Sequence, residues 1–486
     1  MTDAAVVGSG PNGLAAAVIL ARAGLEVDLY EARESVGGGT RTEELIEPGH
    51  WHDVCSAVHP MAMASPFFRE FGIAERIDWL VPELSYGHPL DGGRAALAYR
   101  DLDRTVDSLG VDGAIYRRLM EPLIRTTEQV VATALNPLLG VPRGAAGAIS
   151  LGLRALWQGG PWWNVGFKGE LAPALISGAA AHPVGSLPSL ASSAAGLVLA
   201  HLAHTGGWPI PRGGSARIAD ALLEDFVAHG GRVHRGHRIR DLAELSGAKI
   251  VMADTSPRAL DAIAGNRFPA RYSAALQRFR YNNAACKVDF ILSEPVPWQN
   301  QQLRSSGTLH VAGTRAEMAH AEAQVARGEH PEKPYVLVSQ PSLFDPDRAP
   351  AGRQVLWTYC HVPAGSTRDM TEAVVSQIER FAPGFRDVVL HSKAITAAQL
   401  AEYNVNYIGG DFGSGATNLR QLIARPVLSG APWRTPLRGL YLCSSSSTPG
   451  PGVHGMSGMH AARLALKDIF GTDLPDLAPP PRSDIG

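Results

Sequence analysis

Ala4-Ala5-Val6-Val7-Gly8-Ser9-Gly10-Pro11-Asn12-Gly13-Leu14 is the stretch on which the fold turns. A short apolar run ends in a glycine turn, Leu14 to Ala23 carry helix formers up to Gly24, and Val27 to Tyr30 read as the next strand. Strand, glycine turn, helix and strand within about 30 residues make the βαβ unit of a doubly wound α/β fold. Gly8 permits the tight turn. Gly10 lets backbone N–H groups approach a pyrophosphate across Pro11 and Asn12. Gly13 lets the helix pack on the strand with its positive end toward the phosphates. Glu31 follows Gly13 by 18 residues at the end of the second strand. A carboxylate there accepts hydrogen bonds from ribose hydroxyls and repels a 2′-phosphate. An ordinary glycine loop is the plain alternative, and the ordered set of strand, helix, strand and carboxylate argues against it.

The same fingerprint serves NAD and FAD, so the following segment decides between them. Ala32-Arg33-Glu34-Ser35-Val36-Gly37-Gly38-Gly39-Thr40-Arg41-Thr42 is a second glycine cluster flanked by arginines. The longer pyrophosphate and ribityl chain of FAD needs such a second close backbone approach, at Ala32, Gly38, Gly39 and Thr40. Arg33 or Arg41 would neutralise phosphate charge. FAD is therefore the expected cofactor.

At 486 residues, 45% hydrophobic and 19% charged, the chain has material for two or three cores. A net charge of -2 and the lack of Lys/Arg runs argue against nucleic-acid partners. Cys55, Cys286, Cys360 and Cys443 are far apart and show neither a disulfide framework nor metal-ligand spacing. A cytoplasmic setting with no metal is expected. No basic segment precedes the first apolar run, so no signal peptide is read, and no apolar run reaches transmembrane length.

Further along, Asp103 to Leu138 and Ala145 to Trp157 read as helices, and Ala172 to Leu202 is rich in Ala, Leu, Ser and Gly. Gly213-Gly214 opens a helix to His229, followed by an alternating strand from Arg232 to Ile239. Lys249 to Ala253 reads as a buried strand. Lys287 to Leu292, Tyr335 to Gln340 and Gln354 to His361 suggest a second sheet, and Gly439 to Cys443 a last strand before a helix from Gly458 to Phe470. The expected division is 1–100, 206–265 and 431–472 for cofactor binding, 101–205 for a helical cap, 266–430 for a substrate domain and 473–486 for a loose tail.

The N-terminal fingerprint with Val36-Gly37-Gly38, the central Pro209-Ile210-Pro211-Arg212-Gly213-Gly214-Ser215 and the C-terminal Pro449-Gly450-Pro451-Gly452-Val453-His454-Gly455-Met456-Ser457-Gly458 resemble bacterial-type phytoene desaturases within the amine-oxidase-like flavoproteins. The overall look is similar to the branch containing pyridine nucleotide-disulfide oxidoreductase domain-containing protein 2. The resemblance spans about residues 4 to 470. It implies a glutathione-reductase-type Rossmann FAD domain assembled from discontinuous pieces, a mixed-sheet substrate domain and a helical cap region. It further implies that Gly452, Val453, His454 and Met456 lie beside the flavin at a helix N-terminus, and that Val233 and Ile239 bracket the adenine. Where related sequences carry glycines or acids after the last strand, this chain has Ser444-Ser445-Ser446-Ser447, with Ser444 as the contact expected to survive. The stretch between Ile239 and Lys249 is also short for a family that often inserts a hairpin there.

The implied activity is an FAD-dependent desaturase, dehydrogenase or isomerase that passes hydride from a lipophilic, isoprenoid-like substrate to flavin N5, with oxygen or a quinone as electron acceptor. His454 and His59 are the candidate proton acceptors, and His460 a weaker one. Trp51, Phe67, Phe68, Trp157, Trp162, Trp163 and Trp208 are candidate pocket walls. Trp162-Trp163 beside Gly159-Gly160-Pro161 also suits a peripheral membrane contact, and a homodimer is compatible with the class. One rival is an amine-oxidase-like enzyme for a polar substrate, which would want an aromatic cage and a lysine near N5; the C-terminal segment has no lysine before Lys467. The other is a flavin-binding protein without turnover.

Overall fold

The computed structural model describes residues 2–138 and 144–479. Its first sheet has five parallel strands in the order Leu440–Leu442, Ile250–Ala253, Ala4–Val7, Val27–Tyr30 and Arg232–His234. Ala4 is in register with both Ile250 and Val27, so the first strand is central and buried throughout, as its unbroken apolar run requires. Helix Pro11–Arg22 starts with proline, whose missing N–H costs nothing there, and no side chain caps its Gly10 end. That leaves the helix end open toward a ligand, although the Gly13 N–H is already taken by the Asp254 carboxylate. Helix Met456–Ala465 crosses it closely: a Cβ on Gly458 would stand 2.0 Å from the Asn12 carbonyl.

The second sheet has seven strands in the order Val389–Ile395, Ala284–Leu292, Gln354–Val362, Val336–Ser339, Thr308–Val311, Leu84–Leu90 and Arg94–Tyr99. It is antiparallel except where Leu309 meets Gly87. The hairpin from Leu84 to Tyr99 thus belongs to this sheet, whereas the boundary expected at residue 100 put it with the first. Its apolar faces satisfy either sheet, and only the pairing of Gly87 with Leu309, where a side chain at 87 would collide with Leu303 and Leu309, decides.

Other expectations need adjustment. The helix expected over Asp103 to Leu138 is three, Leu102–Ser108, Gly113–Arg125 and Thr127–Ala134, the second containing Pro122. Ala172 to Leu202 forms two, Leu171–Ala181 and Leu190–Ala203, in contact where Gly196 faces the backbone of Ala180. The strand expected from Arg232 to Ile239 ends at His234, because Gly236 takes φ +64° and turns the chain back. There its N–H donates to the Arg33 carbonyl, and that of His237 to the Glu31 carbonyl. The tail is not loose over 473–479: Leu477 is buried, and Arg22 donates to the carbonyls of Asp476 and Ala478 at 3.1 and 3.0 Å. Residues 480–486 lie outside the described residues. No helix among the described residues is long and apolar enough to cross a membrane.

Candidate active site

A cavity of about 1030 Å³ runs from the glycine turn, past the second glycine cluster, to the face of the second sheet. That is at the upper end of small-molecule sites and suits an extended dinucleotide with a substrate beyond it. At its nucleotide end the wall is Gly8, Gly10, Pro11, Asn12, Glu31, Ala32, Arg33 and Ile239; Gly38, Gly39, Thr40 and Arg41 follow, then Ser444, Gly452 and Val453. The two glycine clusters touch: a Cβ on Gly38 would stand 2.9 Å from the Gly10 Cα. Gly13 lies beneath the turn, where a Cβ would meet the Gly8 carbonyl at 2.2 Å. These positions are closed to any larger residue, and the backbone surface they expose is the one a pyrophosphate requires.

Glu31 is almost wholly buried and is held by the turn itself. Its carboxylate accepts from the Ser9 N–H at 3.2 Å, from the Ser9 hydroxyl and from the Arg33 N–H at 2.9 Å. Both arginines are engaged by the protein. Arg41 donates to the carbonyls of Ser35 and Gly38 and stands 3.4 Å from Glu31, while Arg33 lies over the Tyr403 ring at 3.9 Å and donates to its carbonyl. They brace the second glycine loop, and both also line the cavity.

Asp254 was not singled out from the sequence, although it ends a parallel strand as Glu31 does. Its carboxylate accepts from the Gly13 N–H at 3.0 Å, at the N-terminus of the first helix. Burial pushes it up to about 7, the Gly13 N–H opposes this, and the nearby Glu31 charge adds to it. Because the value in the fold exceeds that of a free carboxyl, the proton bound here favours the fold, and that contribution falls as pH rises from about 4 to 7. An anion bound at the turn raises the value further. FAD affinity of the wild type is therefore expected to weaken several-fold between pH 6.5 and 8.5, and that of Asp254→Asn to stay level. Equilibrium dialysis at the two pH values checks this, and parallel behaviour of the two proteins would remove Asp254 from the linkage.

The C-terminal segment brings Gly452 and Val453 to the cavity, but not its histidine. His454 is 1% exposed and does not line the cavity. Its Nδ1 accepts the Met456 N–H at 3.1 Å and its Nε2 donates to the Gly450 carbonyl at 3.2 Å, so the ring caps helix Met456–Ala465. Burial lowers it to about 4. His59 does line the cavity, but its Nε2 donates to the Ser215 hydroxyl at 2.7 Å, which itself donates to the Ser56 carbonyl at 2.6 Å, and burial lowers it to about 4 as well. Neither is a proton acceptor near neutrality. Met456 is core. Val233 packs beside Leu29 in the sheet, and the residues that reach the cavity there are His237 to Arg240. The serines build their own turn: Ser446 donates to the Ser414 carbonyl, Ser447 to that of Ser444, and only Ser445 meets Asn12, at 3.5 Å.

Of the aromatic candidates only Trp208 reaches the cavity. Phe67 and Phe68 are core, Trp51 and Trp162 are exposed, Trp157 stacks on Phe167, and Trp163 lies under Arg315. The missed walls are Trp357 and Tyr359, in edge contact at 5.3 Å, and Phe412 against Tyr359 at 5.2 Å. Lys287, paired with buried Asp289, stands 5.8 Å from the Trp357 ring. Strand alternation marks such residues as facing one side without saying which side carries a cavity.

Fold, cradle and cavity together define the class: the architecture of an FAD-dependent oxidoreductase with a Rossmann domain. The model of the NAD(P)-binding Rossmann-like domain matches residues 6–71. Along nearly its whole length the chain is similar to pyridine nucleotide-disulfide oxidoreductase domain-containing protein 2 of Rattus norvegicus, 25% identical over 96% of this chain and 94% of that protein. Among solved structures, a triple mutant of putrescine oxidase superposes with a TM-score of 0.62 at 17% identity, covering 97% of this chain and 99% of the other. Cyclohexylamine oxidase from Brevibacterium oxydans gives 0.58 at 15%, covering 96% and 98%. These structural likenesses speak for the fold.

Proposed function

We propose that the protein oxidises a largely apolar substrate, of the kind handled by phytoene-desaturase-like enzymes, with oxygen or a quinone as the final electron acceptor. The carrying observation is the cavity wall beyond the cofactor cradle. Helix Leu190–Ala203 contributes Ala191, Ala194, Ala195, Val198 and Leu199, and the second sheet Leu337, Trp357 and Tyr359. Among the described residues, neither element puts a charged side chain on the cavity. Such a wall binds hydrocarbon by area and excludes water.

The glycine turns fit FAD at Gly8, Gly10, Gly38 and Gly39, Glu31 suits its ribose, and Gly452 and Val453 close the far side. When bound, FAD supplies a hydride acceptor at N5. The chain's own residues orient the substrate and keep the site dry; His454, bonded to backbone groups, and His59, bonded to the Ser215 hydroxyl, are both neutral and hold structure rather than take the substrate proton. A second reading, amine oxidation, is favoured by the Trp357, Tyr359 and Phe412 rings and by Lys287 behind Trp357.

One experiment separates the two. FAD-loaded protein is mixed anaerobically with geranylgeraniol, with benzylamine and with NADPH while the flavin band is followed. Bleaching by the isoprenoid alone is expected. Bleaching by the amine would favour the second reading, and bleaching by NADPH alone would make the protein a reductase.

A further inference from the structure

Next to the apolar wall sits a pair of imidazoles for which the cofactor has no use. His182 follows helix Leu171–Ala181, and His310 lies on strand Thr308–Val311. Their Nε2 atoms are 2.9 Å apart. His310 is fully buried between the rings of Tyr86 at 5.0 Å, Trp208 at 5.8 Å and Tyr335 at 6.0 Å. It reaches this position because residue 178 is glycine: a Cβ there would stand 2.5 Å from its Nδ1. His182 packs edge-on against Trp208 at 5.5 Å and lines the cavity.

The contact dictates where the hydrogens lie. Burial lowers His182 to about 3 and His310 further below its ordinary value, so both rings are neutral and each carries one N–H. One Nε2 must therefore donate and the other accept. His310 Nδ1 is buried without a partner. A hydrogen there would be an orphaned buried donor, which proteins avoid more strictly than an idle lone pair. The hydrogen of His310 accordingly sits on Nε2 and is donated to His182 Nε2. That fixes the hydrogen of His182 on Nδ1, since the bond made by one ring nitrogen sets the state of the other. Unlike the Nδ1 of His310, this atom is not sealed in the core, and it has no protein acceptor among the described residues.

We infer that His182 Nδ1–H is a fixed hydrogen-bond donor beside the apolar wall of the substrate chamber, and that the substrate is an apolar molecule carrying a carbonyl oxygen which this donor binds. The assignment rests on the reading of the chamber as a site for lipophilic molecules, and it names the one polar feature such a molecule carries. His310 is the positioning residue that holds the donor tautomer. A ligand lacking an acceptor leaves the N–H dry and unpaired, which is the kind of mismatch on which binding sites discriminate most strongly.

The test uses the FAD-loaded protein and two probes of similar size, geranylacetone, which carries a ketone, and farnesene, which carries no oxygen. Binding is measured by equilibrium dialysis, with the flavin spectrum and thermal midpoint as folding controls. Wild type is expected to hold the ketone roughly tenfold more tightly than the hydrocarbon. His182→Phe, which keeps the ring and removes the donor, is expected to bind both alike. His182→Gln, which restores an N–H, is expected to regain part of the preference. Equal binding of the two probes by wild type, or a preference that survives in His182→Phe, would overturn the assignment while leaving the lipophilic chamber standing. Failure of both probes to bind would overturn the chamber and the assignment together.

Discussion

Glu31→Arg is expected to yield a folded protein that loses FAD on desalting, with affinity weakened at least a hundredfold. The carboxylate is buried against the turn, and its oxygens organise Ser9 and the Arg33 backbone while facing the nucleotide end of the cavity. An arginine there gives up those bonds and puts a guanidinium beside that of Arg41, which stands 3.4 Å from Glu31. Hydrogen bonds from ribose hydroxyls to a charged acceptor are worth about 1.5–3 kcal/mol each, so losing two of those accounts for the hundredfold or more. Absorbance of the desalted protein and a titration with added FAD read the effect. Glu31→Gln, which keeps an acceptor, should fall between. A variant that stays yellow with the parent affinity would exclude Glu31 from the cofactor site.

Arg348→Met is expected to cost about 3–5 kcal/mol of stability, the penalty for breaking a buried ion pair from one side. Arg348 is 1% exposed; it donates to Asp53 at 2.6 Å, to Asp345 at 3.1 Å and to the Trp51 carbonyl at 3.2 Å. Asp53 also accepts from Thr42 at 2.7 Å and from the Ser215 N–H at 2.8 Å, and Asp345 from the Gly213 N–H at 2.7 Å. This one guanidinium therefore joins the second glycine loop, the Pro-Arg-Gly-Gly-Ser segment and the turn before strand Gln354–Val362. Burial by itself would push the Asp53 carboxyl up; the Arg348 charge with the Ser215 and Thr42 bonds outweighs it and holds the carboxyl below its ordinary value. The stabilisation is thus present above about pH 4 and lost as pH falls through the depressed value. Methionine leaves two buried carboxylates facing each other. Urea denaturation at neutral pH measures the loss, and an unchanged midpoint would show that the cluster is held by its backbone donors alone. Arg348→Met with Asp53→Asn should recover part of it, since the two residues act through one network.

What could be read along the chain was whatever depends on local backbone. Gly8, Gly10, Gly13 and Glu31 announce themselves because a tight turn, an open helix end and a carboxylate after a strand are defined within a few residues. Arg33 and Arg41 show the limit: charge beside a glycine cluster suggests phosphate, but the partners that also hold these side chains, Tyr403 and the Ser35 and Gly38 carbonyls, are found only in the folded chain. His454 misled in the same way. A histidine at a helix start is chemically ready to move protons, yet two backbone bonds and complete burial make it a cap.

The sequence by itself determined the doubly wound cofactor fold, the cradle and the kind of ligand it takes, because those follow from short-range geometry and from which residues tolerate it. Tertiary structure alone decided the chamber. Trp208, Leu337 and Trp357 meet there from distant parts of the chain, and His182 contacts His310 across 128 residues. Long-range contacts of this kind have no local signature: a strand's alternation tells which residues share a face, and only the packing of sheet on helix tells whether that face meets core, solvent or substrate.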